Sequence, residues 1–303
     1  MSTQSQLYRR YLGLLLGSLL SVAAQDTAKK PISSDTDLRI QGIFTTALPR
    51  TEPKNSLKLI VHPHFGDLVK KDHIRTAVGL RYGLTNNLEA TVEVDTYFTH
   101  GLKDGNFFDE YGLSTIHVGT KYRLSDWLRL GWIPVVGVDW IQPINSPPPD
   151  VTDGLRHAIS YLTLSRELKS HPGWRVFFGA NYDDVAPTNI VGEPDKNQLT
   201  GDNVGVTGGF VVGRGRLNYT LEASYNTQRW VDNINQDLIA LRPGIVWAIP
   251  PRYTFGGRGQ WLLGVSLRLA HGPDGNSIGA QAKLRFNFDF KRLLGRKPAP
   301  AVH

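Results

Sequence analysis

The chain has 303 residues, a formal net charge of +7 and a mean hydropathy of −0.26, with no apolar run long enough to cross a bilayer as a helix. That excludes a helical membrane bundle but suits a β-barrel, in which only every second strand residue faces lipid. Cysteine is absent, which excludes a disulfide framework, a thiolate metal site and a lipid anchor on cysteine; the basic residues form no run of five or six, so nucleic acid is a poor partner.

The first residues read as an export signal. Arg9 and Arg10 form a positive n-region, Tyr11–Ser21 an apolar h-region too short to span a bilayer as a helix, and Val22-Ala23-Ala24 a small-residue cleavage site. Residues 1–24 are therefore expected to be a signal peptide, with the mature chain starting at Gln25. Residues 25–55 follow as a polar segment holding a short strand or a plug.

From residue 56 to 290 period-two alternation dominates. In Arg216–Gln228, Leu217, Tyr219, Leu221, Ala223 and Tyr225 oppose Arg216, Asn218, Thr220, Glu222, Ser224 and Asn226. Ile278–Phe290 and Leu88–Phe98 alternate in the same way. Such runs exceed the usual five or six residues of a soluble strand and match a tilted membrane span. The pattern predicts an all-β fold, a transmembrane antiparallel up-and-down barrel of about twelve strands. They fall near 57–65, 73–84, 88–98, 111–124, 127–141, 154–166, 173–184, 203–213, 216–228, 237–249, 260–271 and 277–290.

The expected connections alternate between tight (85–87, 125–126, 214–215) and long (99–110, 142–153, 185–202), the asymmetry of short periplasmic turns and long outer loops. Connection 250–259 is long for its side and 272–276 short for its side. The long loops are able to fold inward over a pore. Tyr82, Tyr122, Trp174, Trp247, Trp261 and Phe288 fall on the apolar parity at one set of strand ends, and Phe98, Trp140, Tyr182 and Tyr225 at the other, as two interfacial belts would. Pro134 and Pro243 lie inside expected strands and call for bulges or bends. In 154–166 apolar residues occupy both parities, Ile159 and Tyr161 against Leu162 and Leu164, which leaves the register open. Residues 291–303 are a basic, proline-containing tail on the expected periplasmic side.

Leu80–Val94 reads LRYGLTNNLEATVEV, preceded by TALPRTEPKNSLKLIVHPHFG. Over residues 45–98 this resembles the outer-membrane barrels grouped as the phenol meta-pathway degradation-like family of transporters, in which a similar turn joins two strands. The resemblance implies passage of small, often apolar, compounds and supplies no catalytic residue.

The inward parity is expected to carry Arg75, Arg81, Glu89, Glu93, Asp95, Lys121, Arg123, Arg129, Asp139, Arg175, Asp183, Arg216, Glu222, Arg242, Arg268, Lys283 and Arg285. Basic residues outnumber acidic ones, so these read either as a polar pathway with mild anion preference or as a salt-bridged filling; a barrel of this size lies between filled and open. His62, His64, His73, His100, His157 and His271 fall near the expected outer strand ends, and read either as a metal or pH-responsive mouth or as ordinary polar rim residues. For an outer-membrane lipase, His157 and Ser160 would have to meet, yet three positions apart on a strand they point to opposite faces. Asp183 and Asp184, adjacent, cannot pair on one face as a protease would need.

The sequence thus points to a non-enzymatic outer-membrane channel for small solutes, apolar or aromatic compounds or small anions, with an outer-membrane enzyme and a filled structural barrel as alternatives. It calls for no cofactor and no metal site, for membrane lipid, lipopolysaccharide and the barrel-assembly machinery as partners, and leaves the oligomeric state open.

Overall fold

A strand in hydrocarbon must find partners for every backbone amide on both edges, and a long alternating sequence does so only by closing on itself. The computed structural model describes residues 45–63, 71–124, 131–168, 170–171, 173–195, 197–214, 216–250, 253 and 259–288. It contains β1 (Leu57–Pro63), β2 (His73–Gly83), β3 (Leu88–His100), β4 (Phe107–Arg123), β5 (Ile133–Pro143) and β6 (Leu155–Glu167). These are followed by β7 (Trp174–Pro187), β8 (Asn203–Arg214), β9 (Leu217–Thr227), β10 (Asp237–Ile249), β11 (Gly259–Gly272) and β12 (Gly275–Phe288). Each strand pairs with its sequence neighbours, and β1 closes onto β12 through Leu59↔Phe286, Ile60↔Arg285 and Val61↔Leu284. The result is a closed antiparallel barrel of twelve strands.

The two faces are inverted relative to a soluble protein. Leu80, Val92, Val138, Trp140, Leu162, Phe178, Val206, Ile239, Val265, Leu267 and Ile278 all stand exposed on the outside. Glu89, Glu93, Lys121, Thr163, Asn218, Thr220, Glu222 and Arg242 are buried inside. Leaving one large apolar side chain in water costs about 1.5–3 kcal/mol relative to burying it, and soluble monomers rarely expose apolar patches beyond a few hundred Å². An apolar surface running around the barrel is therefore the face of a transmembrane strand set. At the strand ends the aromatic hydroxyls meet polar partners: Tyr82 donates to Asn55 Oδ1 (3.0 Å), Tyr182 to Asp202 Oδ2 (3.1 Å) and Tyr225 to Asp237 Oδ1 (3.1 Å).

Inside, small and large residues alternate across the ladders. Gly79 is the direct partner of Glu93, Gly119 of Asp139, Gly137 of Tyr161 and Gly209 of Phe177. A Cβ on Gly137 would lie 2.3 Å from the Tyr161 ring, so only glycine lets that ring lie flat across the wall. The taper of a barrel interior is filled this way.

Four details differ from the sequence expectation. β3 and β4 run on to His100 and back from Phe107, so the connection between them shrinks to residues 101–106. Ser114 is an extra residue opposite the Asp95–Thr96 step, and outward parity passes there from Tyr111 and Leu113 to Val118 and Tyr122. β5 runs from Ile133, the expected start at 127 lying outside the described residues, and Pro134 is its second residue, near the strand's start, where a missing N–H is tolerated. Pro243 causes no register shift: the β10–β11 ladder skips Arg242 and Pro243 and resumes in register, Leu241↔Leu269 before and Gly244↔Ser266 after.

The open register of β6 resolves with Leu162 outward and His157, Thr163 and Ser165 buried inside. A guanidinium in mid-bilayer costs about 2–4 kcal/mol in such barrels. Leu162→Arg should therefore lower the folding free energy in lipid vesicles by about that amount in urea titration, and Gln281→Arg, on the lumen wall, by much less. Equal costs would mean that the β6 parity is reversed.

Candidate functional site: the occupied lumen

Of the expected inward charges, Glu89, Glu93, Lys121, Arg175, Glu222 and Arg242 are buried, and Arg75, Arg81, Asp95, Arg123, Asp139, Asp183, Arg268 and Lys283 partly buried. Arg216 departs from the expectation. It precedes β9 at the β8–β9 turn, where it is exposed rather than enclosed. Arg129, His64, the signal region and the basic tail lie outside the described residues, as does the side chain of Arg285. The inward charges form local groups. Lys121 Nζ lies 2.9 Å from Glu89 Oε1, Arg81 reaches Glu89 (3.6 Å) and Glu93 (3.8 Å), and His117 meets Asp139 (3.4 Å). Arg242, opposite Glu222 in the ladder, donates to Ser224 Oγ (2.9 Å).

Residues 45–55 enter the lumen from the tight-turn end. Thr45 and Thr46 donate their hydroxyls to Glu222, the latter at 2.6 Å. Lys121 Nζ donates to the carbonyls of Leu48 (3.4 Å) and Arg50 (2.7 Å). Glu52 N donates to Glu89 Oε2 (2.8 Å), its carboxylate pairs with Lys58, and Thr51 Oγ1 donates to the Asn86 carbonyl (2.7 Å). Leu48 packs with Phe177, Val211, Val246 and Leu262, an apolar cluster on the inner wall. Gly83 lies under this segment, and a Cβ there would come within 2.1 Å of the Pro53 carbonyl oxygen. The alternation of 56–290 gives no sign of this apolar seat, because its members are scattered over β7, β8, β10 and β11. Leu48 was the one large apolar residue of the segment from which it could have been sought.

At the other end, residues 144–154 and 188–202 fold over the mouth. Glu193 N donates to the carbonyls of Pro149 (2.7 Å) and Thr152 (2.8 Å), and Thr188 Oγ1 to that of Gly154 (2.7 Å). Gly154 has φ +73° and Gly192 lies so close that a Cβ on it would meet Gly154 N at 2.1 Å; both positions require glycine. Asn197 is fully buried: its N–H donates to Asp274 Oδ2 (2.9 Å), its amide to Gly275 O (2.8 Å), and it accepts from Asp274 N (2.9 Å). Leu199 beds into Leu238, Ala240 and Ala270. Asp195 reaches Lys71 (2.7 Å) and Arg75 (3.0 Å), so loop 188–202 crosses from β7 to the β11–β12 turn and to β2.

The histidines do not gather into one centre. His157 lies between Asp183 Oδ2 at Nδ1 and Asp153 Oδ2 at Nε2, each 3.0 Å. His73 lies between Asp150 (3.3 Å) and Glu110 (3.1 Å). Carboxylates only accept, so either ring serves both partners when both of its nitrogens carry hydrogen. Loop 144–154 is thereby held at two points. His100 contacts the Lys71 carbonyl (2.7 Å), His62 Glu93 (3.9 Å) and His271 Asn276 (2.9 Å). Among the described residues no three metal-ligating side chains converge. Ser160 points outward, away from His157.

Between loops and mid-barrel lies a chamber of 510 Å³, lined by Arg75, Asp95, Asp153, His157, Asn181, Asp183, Glu193, Asp195, Asn226, Arg268 and Gln281 among others. Burial would raise the Asp195 carboxyl, but Arg75 and Lys71 hold it down to about 2. Burial likewise opposes ionisation of Asp153, which His157, the Leu155 N–H and Gln198 outweigh to keep its value below the ordinary one.

No family model matches the chain, and no curated protein matches it in sequence. The likeness of residues 45–98 to the phenol meta-pathway degradation-like barrels thus remains a resemblance. Among solved structures the fold is similar to the KdgM porin (8% identity, 77% of this chain and 99% of that one, TM-score 0.46). It is also similar to an outer-membrane channel from Pseudomonas putida F1 (14%, 78% and 96%, TM-score 0.47) and to the NanC porin (10%, 77% and 99%, TM-score 0.45). The likeness is one of gross architecture.

Lys121→Gln removes the cation that binds two carbonyls of the inserted segment, and tryptic cleavage after Arg50 should then rise several-fold over wild type. An unchanged rate would show that the segment is held elsewhere. The Asp195 carboxyl has a folded value of about 2 against an ordinary 3.8, so its contribution to holding loop 188–202 is complete above about pH 4 and is lost as pH falls towards 2. Pepsin cleavage within 188–202 should accelerate over that window, and Asp195→Asn should already be cleaved at pH 4 at the rate wild type reaches near pH 2.

Proposed function

We propose that this chain is an outer-membrane channel for small solutes, closed at rest by residues 45–55 at the tight-turn end and by loops 144–154 and 188–202 at the other. The observation that carries the reading is a closed barrel, apolar outside and polar inside, whose lumen still keeps a 510 Å³ chamber. A filled structural barrel would have salt-bridged that space away. The export signal read in residues 1–24, with cleavage near Ala24, supports the location.

The enzyme alternative finds no support in the lumen. His157 is engaged by two carboxylates while Ser160 faces outward, and Asp184 turns away from Asp183 towards Arg156 (3.8 Å). The anion bias expected from the whole inward parity does not extend to the chamber, where Asp95, Asp153, Asp183, Glu193 and Asp195 stand beside Arg75, Arg268 and His157.

Planar-bilayer recording tests the reading. Wild type should show small, infrequent openings, and Lys121→Gln combined with Glu222→Gln should raise the mean conductance several-fold by releasing the inserted segment. Silence in both proteins, with the barrel shown folded by its shifted gel mobility before heating, would favour a filled barrel without transport.

A further inference from the structure

Resting on the channel reading, we propose that the chamber beneath the loops is a binding site for a small zwitterion carrying one ammonium and one carboxylate group. In the closed order of twelve strands, β7 lies across the lumen from β1. The basic residues of the chamber flank that position, Arg75 on β2 and Arg268 on β11, while the acidic pair Asp183 and Asp153 stands with His157 on the β6–β7 side. The chamber therefore has guanidinium groups on one side, beside Asp195 and Asp95, and the Asp183–His157–Asp153 group on the other.

On each wall one group keeps hydrogen-bonding capacity that the protein does not use. Arg75 is engaged by Asp195, but Arg268 meets only Ser277 Oγ (3.4 Å) among the described residues, with no carboxylate within ion-pair distance. Asp183 gives Oδ2 to His157, whereas its Oδ1 is buried with no hydrogen-bond partner. A protonated His157 between Asp183 and Asp153 still leaves that wall with one net negative charge. Arg268 and Asp183 line one chamber and do not reach each other.

Charges in a confined, low-dielectric space raise the local concentration of the complementary group. A solute bearing both signs gains charge-assisted hydrogen bonds at each end. The amides of Asn181, Asn226 and Gln281 line the chamber too, and offer donors and acceptors to a short polar body. A volume of 510 Å³ falls within the range of about 300–1,000 Å³ of small-molecule sites. Glu193, its N–H bonded to the carbonyls of Pro149 and Thr152, adds to the acidic side, so the ammonium end is the stronger anchor.

The test is equilibrium binding to the whole protein in detergent micelles, by calorimetry, with four probes of similar size: L-serine, ethanolamine, L-lactate and glycerol. Serine should bind best, ethanolamine next and glycerol not measurably. Arg268→Gln should weaken serine about tenfold and leave ethanolamine unchanged, whereas Asp183→Asn should weaken serine and ethanolamine but not lactate. Glycerol binding as tightly as serine, identical responses of both variants, or no binding of any probe would overturn the site. Loss of the site with bilayer conductance intact leaves the channel standing, and serine binding to a protein silent in bilayers overturns the channel and leaves the site.

Discussion

A backbone amide in hydrocarbon has no water to turn to, and leaving it unpaired costs several kcal/mol. Everything in this barrel follows from the closed ladder that answers this constraint. It accounts for the thirteen-residue strands such as β3 and β6, since a tilted strand must cross the whole apolar layer. It explains why irregularities are absorbed rather than allowed to open the sheet: Ser114 is inserted as a bulge, and the gap at Arg242–Pro243 is bridged without losing register. The closure itself is the narrowest ladder, three residue pairs between β1 and β12 against seven between β1 and β2 among the described residues.

Closing the ladder creates an interior that must be either wet or filled, and here it is partly both. Near the tight-turn end the inward side chains are long and charged, glycines opposite them make room, and the inserted segment supplies the remaining partners. Glu89 shows the economy of this packing: one buried carboxylate accepts from Lys121 and from the backbone of Glu52, with Arg81 close by. Removing one partner of such a group leaves a buried charge uncompensated, which typically costs 3–5 kcal/mol. The segment 45–55 is therefore part of the electrostatic balance of the wall as well as an obstruction of the lumen.

How much of this is legible in the sequence follows from what alternation can and cannot encode. The strand set, the parity of β9 and β12 and the aromatic strand ends are local properties, and Leu217–Thr227 displays them without ambiguity. Pro134 looks like a mid-strand residue in the sequence because apolar residues precede it, whereas it is the second residue of β5. Arg216 keeps the right parity yet lies past the end of its strand, a distinction periodicity alone does not make. Loop 188–202 is legible only as length and composition. That Asp195 pairs with Arg75 and Asn197 with Asp274 depends on partners roughly eighty to a hundred and twenty residues away. The apolar seat of Leu48 is scattered over four strands and has no local signature.

The same register that builds the wall also sorts its charges into structural and available ones. Where inward charges of opposite sign share a ladder or stand diagonally across it, they neutralise each other: Glu222 with Arg242, Glu89 with Lys121, Glu93 with Arg81. Arg268 has no such neighbour on β12, and Asp183 has only its diagonal neighbour His157, which it shares with Asp153 and which leaves Asp183 Oδ1 over. The β12 partner of Arg268 is Gly279, and the partners of Asp183 are Ile159 and Asn203, none of which can carry a counter-charge. A shift of either strand by two residues would keep every apolar residue outward and yet change these neighbours. The outward alternation therefore fixes parity alone, while the exact register decides which inward groups remain free to meet a solute.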